Sequence, residues 1–323
     1  MPPRHPSNRG AIAAYLGVGA SFLAYALDER LDIRKWKTIR HRVALEPPID
    51  FTLRARTRPP PIGCAEWPAG RVLLELAVDD CLHHKGSTVL EIGSGIGTAA
   101  IGLALAGAAT VAATDGCEEA LANLRANAVA NGLSVLAPRS SSTTSAAQSG
   151  LLVARWDAAA GQSAVASLPV PPSQLTHVIG ADLVYSGGAD GVDVGADEAE
   201  RGLVPTLAAV LRAAPHAEAR LILVDRFSGG AVSALSSNAG VALPSAARDA
   251  SLVAFERRCA AAGLRVQAGP LPAHVAERVH ASQGMLQRLS WFVCGTWDGL
   301  LLYTLRLDEP SGRTVRHNVP PGG

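Results

Sequence analysis

Three glycines separated by single residues, with an acidic residue just before them, are the part of this sequence best suited to chemistry. Gly93, Gly95 and Gly97 follow the apolar run VLEI and precede the run TAAIGLALAG, so a strand meets a helix at a turn that lacks bulky side chains. Such a backbone lets a ligand approach closely, and the amides at a helix start favour a nucleotide-like group. The spacing therefore predicts a nucleotide-like ligand, and a packing corner without a ligand is the alternative.

Two acidic residues distinguish between candidate ligands. A dinucleotide-binding fingerprint has its third glycine at the sixth position, where this sequence has Thr98. Glu91 stands two residues before the first glycine, where a carboxylate would repel a pyrophosphate but pair with the cationic amine of a methionine group. Asp115 ends the next predicted strand, where a carboxylate can accept hydrogen bonds from ribose hydroxyls. The pattern favours S-adenosyl-L-methionine over NAD.

Strand and helix patterns alternate through most of the chain, which predicts an α/β fold. We expect a Rossmann-like, mostly parallel sheet of seven strands with helices on both faces. Residues 43–70 alternate apolar and polar positions between prolines and predict an N-terminal β-hairpin extension at the edge of the sheet. Strands are predicted near 88–92, 110–115, 151–155, 176–182, 220–225 and 300–306, and helices near 69–84, 96–106, 117–131, 200–213 and 250–262.

The chain divides into three predicted parts: an N-terminal segment (1–44), a main domain (45–307) and a disordered tail (308–323). Residues 11–27 carry no charge and precede a basic linker, and we expect an apolar helix docked outside the core. A membrane anchor, with membrane contact through this segment, and an organelle targeting signal are the alternatives.

Composition argues against several classes of protein. Lysine and arginine number 29 and aspartate and glutamate 28, so the net charge of +1 gives no reason to expect nucleic acid as a partner. The five cysteines form no CxxC pair and the histidines lack metal-ligand spacing, so we predict neither a disulfide scaffold nor a metal site. We expect a monomer in a reducing, cytoplasmic compartment.

Five motifs together resemble the seven-β-strand methyltransferases, and within them the family 16 protein lysine methyltransferases (methyltransferase-like 21 type). The resemblance covers roughly residues 50 to 306. It implies an enzyme that transfers a methyl group from S-adenosyl-L-methionine to a lysine ε-amine of a partner protein. The motifs are EWPAG at 66–70, EIGSGIG at 91–97, TDG at 114–116 with NLRANAVANG at 123–132, RWD at 155–157 and GADLVYS at 180–186.

The resemblance also implies roles for the matching residues. Trp67 would form a wall of the cofactor site, and Asp115 would hold the ribose hydroxyls. Trp156 would lie along the adenine with Asp157 beside it, although family members often have the sequence LDWG where this chain has ARWD. Ala181 would contact the cofactor from the end of the fourth core strand. The residues implied around the methionine and ribose are Glu91, Gly93, Ser94 and Gly95, within the turn that Gly97 completes.

The motif DLVY supplies the catalytic candidates, Asp182 and Tyr185. It follows the fourth core strand, where open parallel sheets place their reacting groups. A lysine amine must lose a proton before it attacks a methyl group, and either side chain would orient that amine or accept its hydrogen bonds. Methyltransferases acting on bases or glutamine resemble (N/D)PP(Y/F) here, whereas this chain has Leu183 and Val184, which argues against those acceptors.

An acidic segment follows this motif and predicts a loop that attracts a lysine-bearing protein, a solubilising loop being the alternative. Two further functions stay open. One is methylation of a protein histidine, an N-terminal amine or a small molecule, since the cofactor half of such sites is shared. The other is a scaffold that binds S-adenosylmethionine without turnover. The acidic residues are Asp190, Asp193, Asp197, Glu198 and Glu200.

Overall fold

The computed structural model of the chain describes residues 36–43, 45–56, 62–82, 86–136, 150–184, 196–225, 249–281 and 300–308. The apolar segment 11–27, the catalytic candidate Tyr185 and residues 309–323 of the predicted tail lie outside these ranges. No helix within the described ranges is long and apolar enough to cross a membrane.

A β-hairpin precedes a large α/β unit. The hairpin consists of β1 (Trp36–Val43) and β2 (Ile49–Arg56), which pair in an antiparallel register. The strands of the main sheet are β3 (Thr88–Ile92), β4 (Thr110–Asp115), β5 (Val135–Leu136), β6 (Gly150–Arg155), β7 (His177–Ala181), β8 (Glu218–Val224), β9 (Leu264–Pro270) and β10 (Leu300–Leu307). The helices are α1 (Pro68–Leu82), α2 (Thr98–Leu105), α3 (Glu118–Ala130), α4 (Ala196–Ala213), α5 (Ala250–Ala261) and α6 (Ala273–Ala281), with 3₁₀ helices at Ile62–Cys64, Gly161–Ser167 and Pro172–Gln174.

The main sheet has eight strands in the order β5-β6-β4-β3-β7-β8-β10-β9. The first six strands in this order, from β5 to β8, run parallel to one another. Strand β10 is antiparallel to both of its neighbours, β8 and β9. Strand β3 lies in the middle, with β4 on one side and β7 on the other, so the chain changes direction across the sheet at β3. Open α/β sheets bind ligands at such a switch point, beyond the carboxyl ends of the strands.

Successive residues of the central strands face two separate hydrophobic cores. Val89 and Val111 pack into the core under α1, α2, α3 and the hairpin, whereas their neighbours Leu90 and Ala112 pack into the core under α4 and α5. Strands buried on both faces need apolar residues at consecutive positions, which is why their sequences are nearly continuous apolar runs. The predicted α/β class with a mostly parallel, helix-covered sheet is confirmed.

The structure differs from the sequence prediction at the edges of the fold. The sheet has eight strands rather than seven because the two-residue β5 pairs beside β6. Strand β9 and helix α6 were not predicted, since LRVQAGP has a single buried residue, Leu264, and ends on Gly269 and Pro270. The hairpin begins at Trp36, within the residues assigned to the basic linker. Helix α4 begins at Ala196, so the last three acidic residues after the DLVY motif lie on a helix rather than on a loop.

Asparagine side chains of α3 fasten the hairpin to the domain. The side-chain amide of Asn131 accepts a hydrogen bond from the backbone N–H of Thr52 (2.9 Å) and donates one to its carbonyl (2.7 Å). Asn127 does the same with Arg54 (2.8 and 3.1 Å) and also donates to the carbonyl of Ile96 (3.0 Å), within the glycine turn. These amides form hydrogen bonds with backbone groups on the outer edge of β2, as a neighbouring strand would. They also connect the hairpin to the glycine turn.

A buried polar network joins the hairpin to α1. Nε2 of His41 on β1 lies 3.0 Å from Oε1 of Glu66, and both side chains are buried. The Nδ1 atom of His41 faces Nη1 of Arg71. Nη2 of the same arginine donates a hydrogen bond to Oε1 of Glu75 (2.9 Å). Because a guanidinium can only donate, Nδ1 of His41 must accept, and the ring carries its proton on Nε2 toward Glu66. The hairpin thereby holds the residue that precedes Trp67.

We predict that Asn127→Ala lowers the free energy of unfolding by about 3 kcal/mol, because three hydrogen bonds are lost and their backbone partners stay buried. Urea unfolding of the full chain measures this. Arg125→Ala is the control on the same helix, since its side chain is a surface partner of Glu118, and we expect a change of about 0.5 kcal/mol or less. Equal effects of the two substitutions would contradict the anchoring role of Asn127.

Candidate functional site

The turn between β3 and α2 adopts a backbone that favours glycine. Gly93, Gly95 and Gly97 have φ values of 67°, 52° and 89°, in the left-handed region that side chains disfavour. A Cβ atom on Gly95 would also lie 3.0 Å from the carbonyl oxygen of Gly63, in the segment before α1. The turn therefore needs glycine both for its backbone conformation and for its close contact with Gly63.

Asp115 holds this turn against the start of α3. Its Oδ2 accepts a hydrogen bond from the N–H of Gly95 (2.9 Å), and its Oδ1 accepts one from the N–H of Cys117 (2.8 Å). Each carboxylate oxygen keeps a second lone pair. The carboxylate is half-buried at the end of β4, so it is fixed by the protein and retains capacity to accept hydrogen bonds from a ligand.

Ser94 and Thr114 lock the end of β3 to the end of β4. The N–H of Ser94 donates to the carbonyl of Thr114 (2.8 Å), and the N–H of Thr114 donates to the Ser94 hydroxyl (3.0 Å). The Thr114 hydroxyl in turn donates to the carbonyl of Glu91 (2.6 Å). These bonds fix the backbone on which the Glu91 side chain is carried.

Glu91 is a buried carboxyl group with an incomplete set of partners. Only 4% of the residue is exposed, and its Oε2 has no hydrogen-bond partner among the residues that the structure describes. Burial raises the pKa of Glu91 from 4.5 to about 8, although hydrogen bonds from Ser94 and from the backbone of Ala100 oppose this, and the nearby charge of Asp115 adds to it. A protonated, partly unsatisfied carboxyl in a water-poor site favours a cationic ligand group, which would restore the ionised form.

The two tryptophans differ in their surroundings. Trp67, just before α1, is 39% exposed, which is unusual for so large an apolar side chain in this protein. Trp156 follows β6, is 3% exposed, and donates from Nε1 to the carbonyl of Ala164 (2.9 Å) within the core under α4. Asp157 is exposed, and its Oδ1 accepts from the N–H of Ala159 (2.8 Å). The structure thus shows Trp67 as an exposed indole before α1 and Trp156 as a fixed, mostly buried indole after β6.

The end of β7 has an unusual backbone. Asp182 follows Ala181, the last residue of the strand. Among the non-glycine residues that the structure describes, Asp182 alone has a positive φ, 52°. Its N–H donates to the carbonyl of Ile222 on β8 (2.8 Å), so the sheet holds this conformation. Backbones of this kind cluster at functional sites, and aspartate tolerates them better than most residues.

Leu183 covers the centre of the site, and the sequence analysis did not assign it this position. A Cβ atom on Gly93 would lie 2.7 Å from Cδ2 of Leu183, and one on Gly180 would lie 2.6 Å from its Cδ1. The next residue, Val184, is buried. An apolar side chain after Asp182 is the signal in the sequence, but only the paired strands show that it lies over the glycine turn. Gly63, beside Gly95 and Asp115, was missed for the same reason.

The predicted cofactor residues therefore lie at one edge of the sheet, the edge formed by the carboxyl ends of its parallel strands. They come from the carboxyl ends of the adjacent strands β6, β4, β3 and β7 and from the segment before α1. Their contacts with a ligand stay predictions, as does the catalytic role of Tyr185. Within the described ranges, no group of three or more His, Cys, Asp or Glu side chains could hold a metal ion. The predicted residues at this edge are Trp67, Glu91, Gly93, Ser94, Gly95, Gly97, Asp115, Trp156, Asp157, Ala181 and Asp182.

Comparison with known proteins gives only distant similarities. No family model and no curated protein matches the chain. Among solved structures, the ribosomal protein L11 methylase of Lactobacillus delbrueckii subsp. bulgaricus is 13% identical with a TM-score of 0.40, over 73% of this chain and 77% of that one. The magnesium protoporphyrin IX methyltransferase of Synechocystis PCC 6803, with bound SAH, is 14% identical with a TM-score of 0.40, over 74% and 84% of the two chains.

A third structure, described as the conversion of a disulfide bond into a thioacetal group during echinomycin biosynthesis, is 20% identical with a TM-score of 0.41, over 78% and 87% of the two chains. Similarities this distant assign neither a reaction nor a substrate to this protein.

We predict that Glu91 makes the stability of the protein depend on pH. A carboxyl whose pKa rises on folding stabilises the folded state fully below the unfolded value, 4.5, and this contribution is lost as the pH rises toward about 8. The free energy of unfolding of the wild type should therefore fall relative to Glu91→Gln by up to about 1.4 kcal/mol per pH unit in this window. Urea unfolding at several pH values measures the difference, and a constant difference would contradict the burial of a protonated Glu91.

Proposed function

We propose that this protein is an S-adenosyl-L-methionine-dependent methyltransferase. The observation that carries the proposal is the buried carboxyl of Glu91, whose Oε2 lacks a hydrogen-bond partner among the described residues. The cationic amine of a methionine group is a partner that would pair with it in its ionised form. A pyrophosphate at the same turn would oppose the ionisation of Glu91 and would bring it no cationic partner, so a dinucleotide fits less well.

The neighbouring residues fit the rest of the same molecule. Asp115 is held by two backbone amides and can still accept hydrogen bonds from ribose hydroxyls. Gly93 is exposed, so a ligand can approach its backbone closely, and in this proposal the exposed Trp67 forms a wall of the cofactor site. Trp156 and Asp157 stand at the strand end on the adenine side. When bound, S-adenosylmethionine supplies a methyl group on a sulfonium centre, which a neutral nucleophile can attack.

The acceptor that we propose is a lysine ε-amine of a partner protein. Leu183 lies over the glycine turn and Val184 is buried, so the entrance beside Asp182 is partly apolar. Desolvation lowers the pKa of an amine and favours its neutral form, which is the form that reacts. In this proposal the carboxylate of Asp182 orients this amine, and Tyr185 belongs to the same motif. Prolines, which are typical of enzymes acting on planar nitrogens, are absent from these positions.

A radiolabelling experiment tests this function. The full chain is incubated with methyl-labelled S-adenosylmethionine and a cell extract, and protein and small-molecule fractions are counted separately. We expect a labelled protein band and a loss of rate of about 100-fold or more in Asp182→Asn, which keeps the shape of the side chain but not its charge. Binding of S-adenosylhomocysteine should be unchanged in this variant.

Asp308→Asn is the matched control, because Asp308 is exposed at the end of β10, away from the site, and it should label the same band at the wild-type rate. Label confined to the small-molecule fraction would contradict the lysine acceptor and leave a small-molecule methyltransferase. Cofactor binding without label in either fraction would contradict methyl transfer and favour a scaffold.

A further inference from the structure

The outward face of the hairpin forms a basic surface that the methyltransferase proposal does not use. We propose that this surface docks the protein on a membrane that contains anionic phospholipids. The surface, called here the basic hairpin face, consists of Trp36, Thr38, Arg40, Arg42, Asp50, Thr52, Arg54 and Arg56.

The strand pairing aligns the arginines into a single stripe. Going along the hairpin, Arg56 lies opposite Trp36, Arg54 opposite Thr38, Arg40 opposite Thr52, and Arg42 opposite Asp50. Every second residue of a strand faces the same way, so one guanidinium occurs about every 7 Å. The stripe thus presents four arginines from two strands on one face of the hairpin. This spacing suits a layer of separate headgroup phosphates.

The opposite face of the hairpin is buried, which fixes the orientation of the stripe. Val43, Phe51, Leu53 and Ala55 are almost completely inaccessible and belong to the core under α1, α2 and α3. The hairpin is also held by the asparagines of α3. The basic hairpin face therefore points to solvent as a rigid surface, and little conformational entropy is lost when it binds.

The charge of the stripe is only partly compensated. Arg42 lies 3.7 Å from Asp50, but both side chains are about two-thirds exposed, and Arg56 pairs with Glu119. The exposed Arg42–Asp50 pair contributes little and separates easily, whereas the Arg56 side chain is only 29% exposed and is held by Glu119. Within the described ranges, Arg40 and Arg54 are not in ion-pair distance of a carboxylate. Each basic residue near an anionic leaflet strengthens binding by about fivefold.

A tryptophan stands at one end of the stripe, in contact with two arginines. The guanidinium carbon of Arg54 lies 4.4 Å from the ring centroid of Trp36, and that of Arg56 lies 5.3 Å from it. Trp36 is half-buried. Tryptophan is enriched at the headgroup level of membranes, where one end of the indole is in an apolar environment and the other is in water.

The sequence just before the hairpin favours a lipid surface over a nucleic acid. Residues 11–27 carry no charge, and only residues 28–35 separate them from Trp36. An apolar segment next to a basic surface gives two signals for the same membrane, and two signals are what stable membrane association needs. Single-stranded nucleic acid is bound mostly in grooves with several stacking aromatics, whereas this face is a flat two-stranded ribbon with one.

Vesicle co-sedimentation of the full chain tests the proposal. Vesicles of phosphatidylcholine alone are compared with vesicles in which about a third of the lipid is phosphatidylserine, and a single-stranded oligonucleotide is a third probe. The variant R40E/R54E reverses the charge of the two stripe arginines that have no carboxylate within ion-pair distance among the described residues. The control R257E/R265E makes the same change in charge on exposed arginines of α5 and of the edge strand β9, whereas the hairpin packs against α2 and α3.

We expect the wild type and the control to bind the anionic vesicles alike, and R40E/R54E to bind them at least about 20-fold more weakly. If both variants bind equally, the hairpin is not the docking surface and the proposal is wrong. Tight binding of the oligonucleotide without preference for anionic vesicles would also overturn it. Urea unfolding checks that R40E/R54E is folded, and if it is not, the milder pair R40Q/R54Q and R257Q/R265Q gives the same comparison.

Discussion

The burial of one carboxyl group, that of Glu91, is the constraint on which the rest of the site depends. Strand β3 lies in the middle of the sheet, between β4 and β7, so its last residues cannot reach bulk water. A carboxyl at that position either stays protonated or is ionised against a positive partner. The glycine turn, the Ser94–Thr114 lock and the start of α2 all act to hold this group where a ligand amine can meet it.

The same contacts that hold the hairpin also hold the site. Asn127 binds the backbone of β2 and, with the same amide, a carbonyl of the glycine turn. His41 on β1 contacts Glu66, which directly precedes the rim residue Trp67. The hairpin, a separate two-stranded sheet, is therefore linked both to the glycine turn and to the segment before α1. A surface that docks the hairpin on a membrane would also fix the orientation of the cleft.

The sequence was sufficient where local chemistry is specific and insufficient where contacts are long-range. The glycine spacing and Asp115 predicted the tight turn and the carboxylate beside it, since turn geometry and charge are properties of neighbouring residues. Continuous apolar runs predicted the central strands because those strands are buried on both faces. Two features could not be predicted because they depend on which strands pair and in what register. These are the contact of Leu183 with Gly93 and the arginine stripe. The edge strand β9 was missed because it is mostly exposed and lacks an apolar pattern.

The central claim is that Glu91 meets a ligand amine, and proton release on binding tests it most directly. Calorimetric titration with S-adenosylhomocysteine near neutral pH, in buffers of different ionisation enthalpy, counts the protons released. Because the free carboxyl has a pKa of about 8, the account predicts release of close to one proton per ligand bound. Methylthioadenosine, which lacks the amine, and the variant Glu91→Gln should give none. Binding of S-adenosylhomocysteine without proton release, or with equal release in Glu91→Gln, would contradict the account.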